Sequence, residues 1–572
     1  MKRKEIPAEI IYALILVIGL VLRIAKLGEL PLSDYEARIA LDAQRLISSS
    51  ANAVQSDQVF LTNILGSLFY LFGTGNFIAR LFPMVIGTLL VLLPAFFRKY
   101  FNEKALIILS FWIAISPTFV SLSRQVDSSI LFLFSLSLFV LFILRRQPIG
   151  SSIFLVLAVL SGRIFFWNLL LAIVVFLYVN SFIRNNKITF KEFVAMAFEQ
   201  AKLRTFLVSF LISYVLLSTF GFVFRHQFTG IARGLIGFIQ VFKDSTNFWN
   251  LGLVTRSILY YEFAAILFGT IGLIWLIKKH RLSGLTILGF VTINIILIMI
   301  SVEKNLVWNI FILAPLMISG SFFLSNFLTL PAKYREKTLS ITAIGFSIVI
   351  FIGLAMASMF VNQNYSGEQA NIRLLYILAG FVLILGAGFL AGWAISWKIA
   401  GRSFLLLATI IFSIFTISSM WNGAGLRLPF ENDLLRVDKI PLEEDLLVDT
   451  IEDFSLWNYR DDTNIKILVI NNELPSLQWS LRNFKDVVFQ NSTPKDEVFD
   501  VIITGKDQVL EQTDSFRGQE ILWYSEPDWQ NMNLTEITKW FLTRRTTHDE
   551  KTQKSLIIWV RNSLVPGFQN NS

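Results

Sequence analysis

The feature that most constrains this chain is a succession of apolar windows, each long enough to cross a bilayer or nearly so. They fall at roughly 8–27, 77–97, 105–121, 128–144, 150–162, 164–180, 205–224, 256–277, 283–301, 305–327, 338–361, 373–396 and 403–421. In hydrocarbon a backbone must satisfy its own hydrogen bonds, so such windows fold as helices. The expectation is a polytopic α-helical membrane protein with about 13 transmembrane (TM) helices. An apolar content of 54% with only 16% charged residues agrees, and lies outside the soluble range. The chain has no cysteine, which removes disulfides and thiolate-bound metals from any mechanism.

Basic residues orient the bundle, since loops rich in Lys and Arg stay in the cytoplasm. With Lys2, Arg3 and Lys4 inside, every second loop is basic: Arg98/Lys99/Lys104, Arg145/Arg146, the 184–204 stretch, Lys278/Lys279/Arg281, Lys333/Arg335/Lys337 and Lys398/Arg402. The first window has a basic start and no A-x-A-like cleavage site, so it reads as an uncleaved TM helix. The loops around 28–76, 123–127, 225–255, 303–304 and 362–372 then lie outside, together with the whole tail. This places the protein in the plasma membrane as a multi-pass chain, N-terminus cytoplasmic and tail extracytoplasmic.

After Trp421 the character changes. From Arg427 onward there are 25 Asp+Glu against 16 Lys+Arg, a net −9, which leaves +18 on the remainder. The segments 464–471, 498–505 and 555–561 read as buried strands, and 442–457, 474–484 and 534–545 as helices. Two domains follow: 1–422 in the membrane, with interfacial helices in the first outer loop (28–76), and an extracytoplasmic α/β domain, 423–572. No repeat, nucleotide loop or nucleic-acid motif occurs, and the three His are scattered.

The first outer loop carries LPLSDYEARIAL, Leu30 to Leu41, with Asp34 and Glu36 at the start of an amphipathic helix whose apolar face is Ile39, Ala40, Ala43, Leu46 and Ile47. Arg38, Asp42 and Arg45 fall elsewhere on the wheel. Asp34 or Ser33 capping that helix, with Glu36 against its dipole, accounts for these residues structurally. SPTFVSLSRQVDSS (116–129) puts Arg124 and Asp127 at the outer end of a helical hairpin, where an interfacial charge pair is the plain reading. SVEKNLVW (301–308) puts Glu303 and Lys304 between two apolar helices; as a polar turn it is ordinary, but a Lys there can bind phosphate as a point charge. Three charged clusters on one side of the membrane point together to a site.

In order along the chain, Arg23, LPLSDYEARIAL, ARLFPMVIGTLLVLLPAFFRKYF, SPTFVSLSRQVDSS and VEKNLVWNIFILAPL resemble the GT-C membrane glycosyltransferases, in particular the protein O-mannosyltransferase and aminoarabinose transferase type (the glycosyltransferase-39-like group). The resemblance covers about Arg23 to Leu316. It implies transfer of a sugar from a polyprenyl-phosphate carrier to a protein, lipid or polysaccharide acceptor outside the membrane. It also implies that Asp34 or Glu36 is the base, Asp127 and Arg124 the second-loop contacts, and Glu303 and Lys304 the phosphate-side pair. The tail is similar to extracytoplasmic domains appended to such transferases. The chemistry needs these types: a carboxylate to take the acceptor proton, and positive charge, from Lys304, Arg124 or a bound cation, to offset the departing lipid phosphate. One displacement inverts the anomeric centre. A hard divalent cation, Mg²⁺ or Mn²⁺, suits a carboxylate-rich site.

The family has Asp and Glu adjacent before Ala, whereas here they are split as Asp34-Tyr35-Glu36-Ala37. Aligning on Glu36-Ala37 places Tyr35 where the catalytic Asp belongs. Either the base has shifted by one residue, or the chain keeps the fold without the activity. A transporter or flippase-associated protein for lipid-linked glycans is the other class. It would place ionisable groups near the midplane, while here only Arg23 and Arg163 stand away from the outer rim.

Overall fold

A computed structural model describes residues 7–48, 54, 56–182, 200–243, 257–301, 306–328, 332–361, 367–394, 396–427, 435–436, 438–470, 473–492, 498–508, 515–527, 540 and 551–565. Every apolar window is occupied by a helix. In order these are Ala8–Ile24, Asn76–Leu92, the pair Glu103–Ile115 and Pro117–Ser123, Ser129–Leu144, Pro148–Val159, Arg163–Phe182, Gln200–Ser218, Phe263–Lys279, Arg281–Ile300, Ile310–Phe327, Ala332–Val361, Gly367–Ala394 and Trp397–Gly423. Among the described residues six are long and apolar enough to cross a bilayer, seven if the bent pair is one span, against the thirteen windows read from the sequence. The difference lies in helices such as Ser129–Leu144 (16 residues) and Pro148–Val159 (12 residues), apolar but short.

The bend of 59° between Glu103–Ile115 and Pro117–Ser123 has a local cause. Pro117 cannot donate to the preceding helix, and Ser116 caps the new one by accepting from the Phe119 N–H. Glu262, at the start of the Phe263–Lys279 helix, accepts from Ser116 Oγ at 2.5 Å and from the Thr118 N–H at 2.9 Å. A second break follows Leu160, where Gly162 adopts φ +75° before the Arg163–Phe182 helix begins.

The first loop folds into two helices packed on each other. Asp34–Ile47 starts with a complete capping box, Ser33 and Glu36 each bonding the other's backbone N–H. Its buried face is Glu36, Ala37, Ile39, Ala40, Asp42, Ala43 and Leu46. The expected wheel holds for the apolar residues and for exposed Arg38, but Asp42 is buried and Ile47 is 37% exposed. The partner, Val59–Phe72, brings Gly66 against the Ala43 carbonyl, where a Cβ would stand a tight 3.2 Å from the oxygen.

The tail forms a five-stranded sheet in the order β2-β1-β3-β5-β4: β1 Lys466–Ile470, β2 Asp486–Gln490, β3 Val501–Gly505, β4 Phe516–Pro527 and β5 Lys551–Arg561. β1 pairs parallel to β2 and β3, while β5 runs antiparallel between β3 and β4. The helix Glu444–Tyr459 packs Leu447 and Ile451 onto the core side of β1 and β3. β2 and β4 are additions to the three strands expected. The helix expected at 534–545 lies, apart from Trp540, outside the described residues.

Candidate active site around Tyr35 and Asp127

Ser33 to Glu36 occupies the first turn of one helix, so its consecutive side chains leave in different directions. Glu36 turns inward and is 1% exposed. Its carboxylate accepts from Arg80 Nε and Nη2, both at 2.8 Å, from the Val126 N–H at 3.1 Å and from the Ser33 N–H at 3.2 Å. Arg80 spends its other protons on the carbonyls of Leu27, Leu30 and Pro31. Burial pushes the Glu36 carboxyl up, but the Arg80 charge and hydrogen bonds outweigh it and the pKa is lowered. Glu36 is therefore a buried, ionised brace that fastens the first loop to the Asn76–Leu92 helix.

Asp34 faces the tail: its Oδ1 accepts from the Ser476 N–H at 2.9 Å. Tyr35 faces Asp127, donating to its Oδ1 at 2.6 Å. Gln58 Nε2 donates to the Tyr35 hydroxyl at 2.7 Å and reaches Asp127 Oδ1 at 3.5 Å. The other Asp127 oxygen accepts from the Ser129 N–H at 2.6 Å, which fixes the carboxylate at the start of the Ser129–Leu144 helix. Burial and the Asp127 charge hold the Tyr35 phenol well above its ordinary pKa, so it stays a donor.

Beside this pair lies Asp57, partly exposed, with Oδ2 accepting from the Arg163 N–H at 3.0 Å. A Cβ on Gly162 would come within 2.6 Å of the Asp57 carbonyl oxygen, so only glycine allows this approach. Burial raises the Asp57 pKa; the Arg163 charge opposes the rise and the Asp127 charge adds to it. The Asp127 carboxylate is thus near enough to disfavour ionisation of Asp57. The Arg163 guanidinium stands 6.0 Å from the centroid of the Tyr35 ring. Arg233, on the Gly230–Gln240 helix, bonds the Val54 carbonyl at 3.1 Å and the Gln227 side chain. Burial lowers its pKa, and Asp42 and Asp57 oppose that shift. Asp42 also bonds Arg45 at 3.0 Å.

Of the residues singled out from the sequence, Asp127 joins this cluster, Asp34 faces the tail and Glu36 serves as the brace. Arg124 is 5% exposed and donates to carbonyls at two helix ends: Leu22, Arg23, Ala25 and Lys26 after the first helix, and Ala424 after Trp397–Gly423. Those are the carbonyls a helix C-terminus leaves unpaired, so Arg124 ties the first span to the last. Its guanidinium is committed to those carbonyls. Glu303 and Lys304 lie outside the described residues. Sequence reading missed Tyr35 as a functional group, and Asp57, Gln58, Arg80 and Arg233 altogether. The signal for Asp57 and Gln58 was slight: two polar residues between the two loop helices.

Among the described residues no group of three or more Asp, Glu or His is arranged to hold a metal ion. The donor set at Asp57 and Asp127 does not by itself make a cation cage.

No family model and no curated protein matches the chain. Among solved structures, the aminoarabinose transferase ArnT from Cupriavidus metallidurans in the apo state is similar with a TM-score of 0.51 at 12% identity, over 96% of this chain and 97% of that one. The same protein bound to undecaprenyl phosphate gives 0.52 at 12% identity, over 98% and 99%. An oligosaccharyltransferase from Archaeoglobus fulgidus, in complex with Zn and sulfate, gives 0.43 at 13% identity, over 86% and 68%. The ArnT likeness runs through the tail as well as the helices. This multi-pass chain has the GT-C fold of membrane glycosyltransferases.

Proposed function

We propose that the protein moves a sugar from a polyprenyl-phosphate-linked donor to an acceptor on the extracytoplasmic side of the membrane, with inversion. The observation that carries this reading is the Tyr35/Asp127/Gln58 cluster with Asp57, Arg163 and Arg233 beside it, set in the fold of a transferase whose structure holds undecaprenyl phosphate. Asp57 is the base: it is partly exposed, and its raised pKa brings it nearer to neutral, where a carboxylate accepts a proton best. Asp127 holds Tyr35 and keeps Asp57 basic. Arg163 and Arg233 face the donor phosphate, with Lys304 and Glu303 keeping the phosphate-side role read from the sequence.

In the single step the acceptor hydroxyl oxygen bonds to the anomeric carbon and its proton goes to Asp57. The bond from that carbon to phosphate oxygen breaks, and the polyprenyl phosphate leaves with an extra negative charge that the arginines offset. Tyr35 stands where the family's Asp is expected, which favours one other reading, a GT-C fold without transfer activity.

Mass spectrometry of the lipids that copurify with the full-length protein tests the donor without guessing the sugar. A retained glycosylated polyprenyl phosphate, transferred by wild type in vesicles and at least about a hundredfold more slowly by Asp57→Asn, is the expected result. Bound donor with no transfer to any acceptor from cell-envelope extracts supports the inactive fold instead. Undiminished transfer by both Asp57→Asn and Asp127→Asn removes these residues from the chemistry.

A further inference from the structure

The tail does more than sit beside the candidate site: it grips the same helical turn that presents Tyr35. From the loop side, Asp34 accepts the Ser476 N–H at 2.9 Å. The Ser476 hydroxyl is bonded to the Tyr524 hydroxyl at 2.8 Å and accepts from Trp523 Nε1 at 3.2 Å. Burial raises the Tyr524 pKa and the Asp34 charge raises it further, with a hydrogen bond between the two adding to it. From the tail side, burial raises the Asp438 pKa and the Asp34 charge adds to the rise, which puts that carboxylate beside the same turn. The loop's carboxylate thus caps a free amide at the start of the tail's Pro475–Ser480 helix.

An apolar anchor stands beside this polar exchange. Trp479, on the short helix Pro475–Ser480, is fully buried among Leu32, Ala40, Leu61, Leu65 and Val126. Its ring lies 5.7 Å from that of Phe69, and Nε1 donates to Asn76 Oδ1 at 2.8 Å. Tail and first loop therefore share one core. The first turn is held at three adjacent residues, by Ser476 at Asp34, by Asp127 at Tyr35 and by Arg80 at Glu36.

We infer that Asp34 is a positioning residue, through which the C-terminal domain holds Tyr35 and Asp127 in register for the transfer step. Adjacent residues on one turn cannot shift independently, so loosening Asp34 from Ser476 and Tyr524 displaces the Tyr35 hydroxyl. A misplacement of about 1 Å costs up to roughly a hundredfold in rate. The kinetic part of this inference rests on the transferase reading; the docking part does not.

The test uses the full-length protein in lipid vesicles, with Asp34→Asn, Tyr524→Phe and the double variant. Two readouts are taken: hydrogen exchange at residues 34–38 and 475–480, and transfer of the copurified sugar with its pH profile. Each single variant is expected to speed exchange in both segments. Each lowers kcat about ten- to a hundredfold while leaving donor KM and the pH profile where they were. The double variant is expected to be no worse than either single one, because both break the same link. If Asp34→Asn abolishes transfer while Tyr524→Phe changes neither readout, Asp34 acts on the substrate and the inference fails. If neither variant alters exchange across the contact, it fails as well. Coupled exchange in a wild-type protein that transfers no sugar upholds the docking and overturns the transferase reading instead.

Discussion

At the scale of single residues, the partners of each carboxylate decide what it can do. Glu36 and Arg80 are both almost wholly buried and joined by two 2.8 Å bonds, so removing either leaves an uncompensated charge. Glu36→Gln or Arg80→Met is expected to cost about 3–5 kcal/mol, read as a lower unfolding midpoint in detergent. The pH dependence has a definite sign. The folded pKa of Glu36 lies below its ordinary 4.5, so its contribution is present above that value and is lost as pH falls through the lowered one. Acid should therefore destabilise wild type more than Glu36→Gln. Asp57 is the opposite case: its pKa is raised above 3.8, so the acid limb of the transfer rate should lie above the ordinary Asp range, measured as kcat/KM against pH. Asp127→Asn, removing the neighbouring charge, should move that limb toward lower pH.

At the scale of elements, the site depends on how helices begin and end. The capping box at Ser33 and Glu36 starts one helix, Asp127 starts another, and Gly162 makes the turn that lets Asp57 reach the Arg163 N–H. Gly162→Ala would force a side chain onto the Asp57 backbone at a left-handed φ. The strain of that φ alone is about 1–2 kcal/mol, and we expect transfer to fall further than stability, because Asp57 must move. Rates and thermal midpoints measured on one preparation separate the two effects. The helices themselves were legible in the sequence, since every apolar window became one. The bend at Ser116-Pro117 was not read, because its cause includes Glu262, which is far away in the chain.

At the scale of the whole molecule, long-range contacts join parts that the sequence keeps far apart. Arg124 ties the end of the first helix to Ala424, and Trp479 carries the tail into the first-loop core. Trp479→Ala is expected to cost about 3–5 kcal/mol and to make the tail open to proteolysis at concentrations that leave wild type intact. What the sequence determined by itself was the character of each part: apolar windows that became helices, and an acidic, mixed-pattern tail built on β1, β3 and β5. Those follow from periodicity and transfer energies, which are local. What only the tertiary structure decided was the partner of each charge. Asp34, Tyr35 and Glu36 are neighbours in one string, yet one meets the tail, one meets Asp127 and one meets Arg80. A helical turn sends consecutive side chains to different neighbours, and which neighbours wait there is fixed by packing between segments that no local pattern encodes.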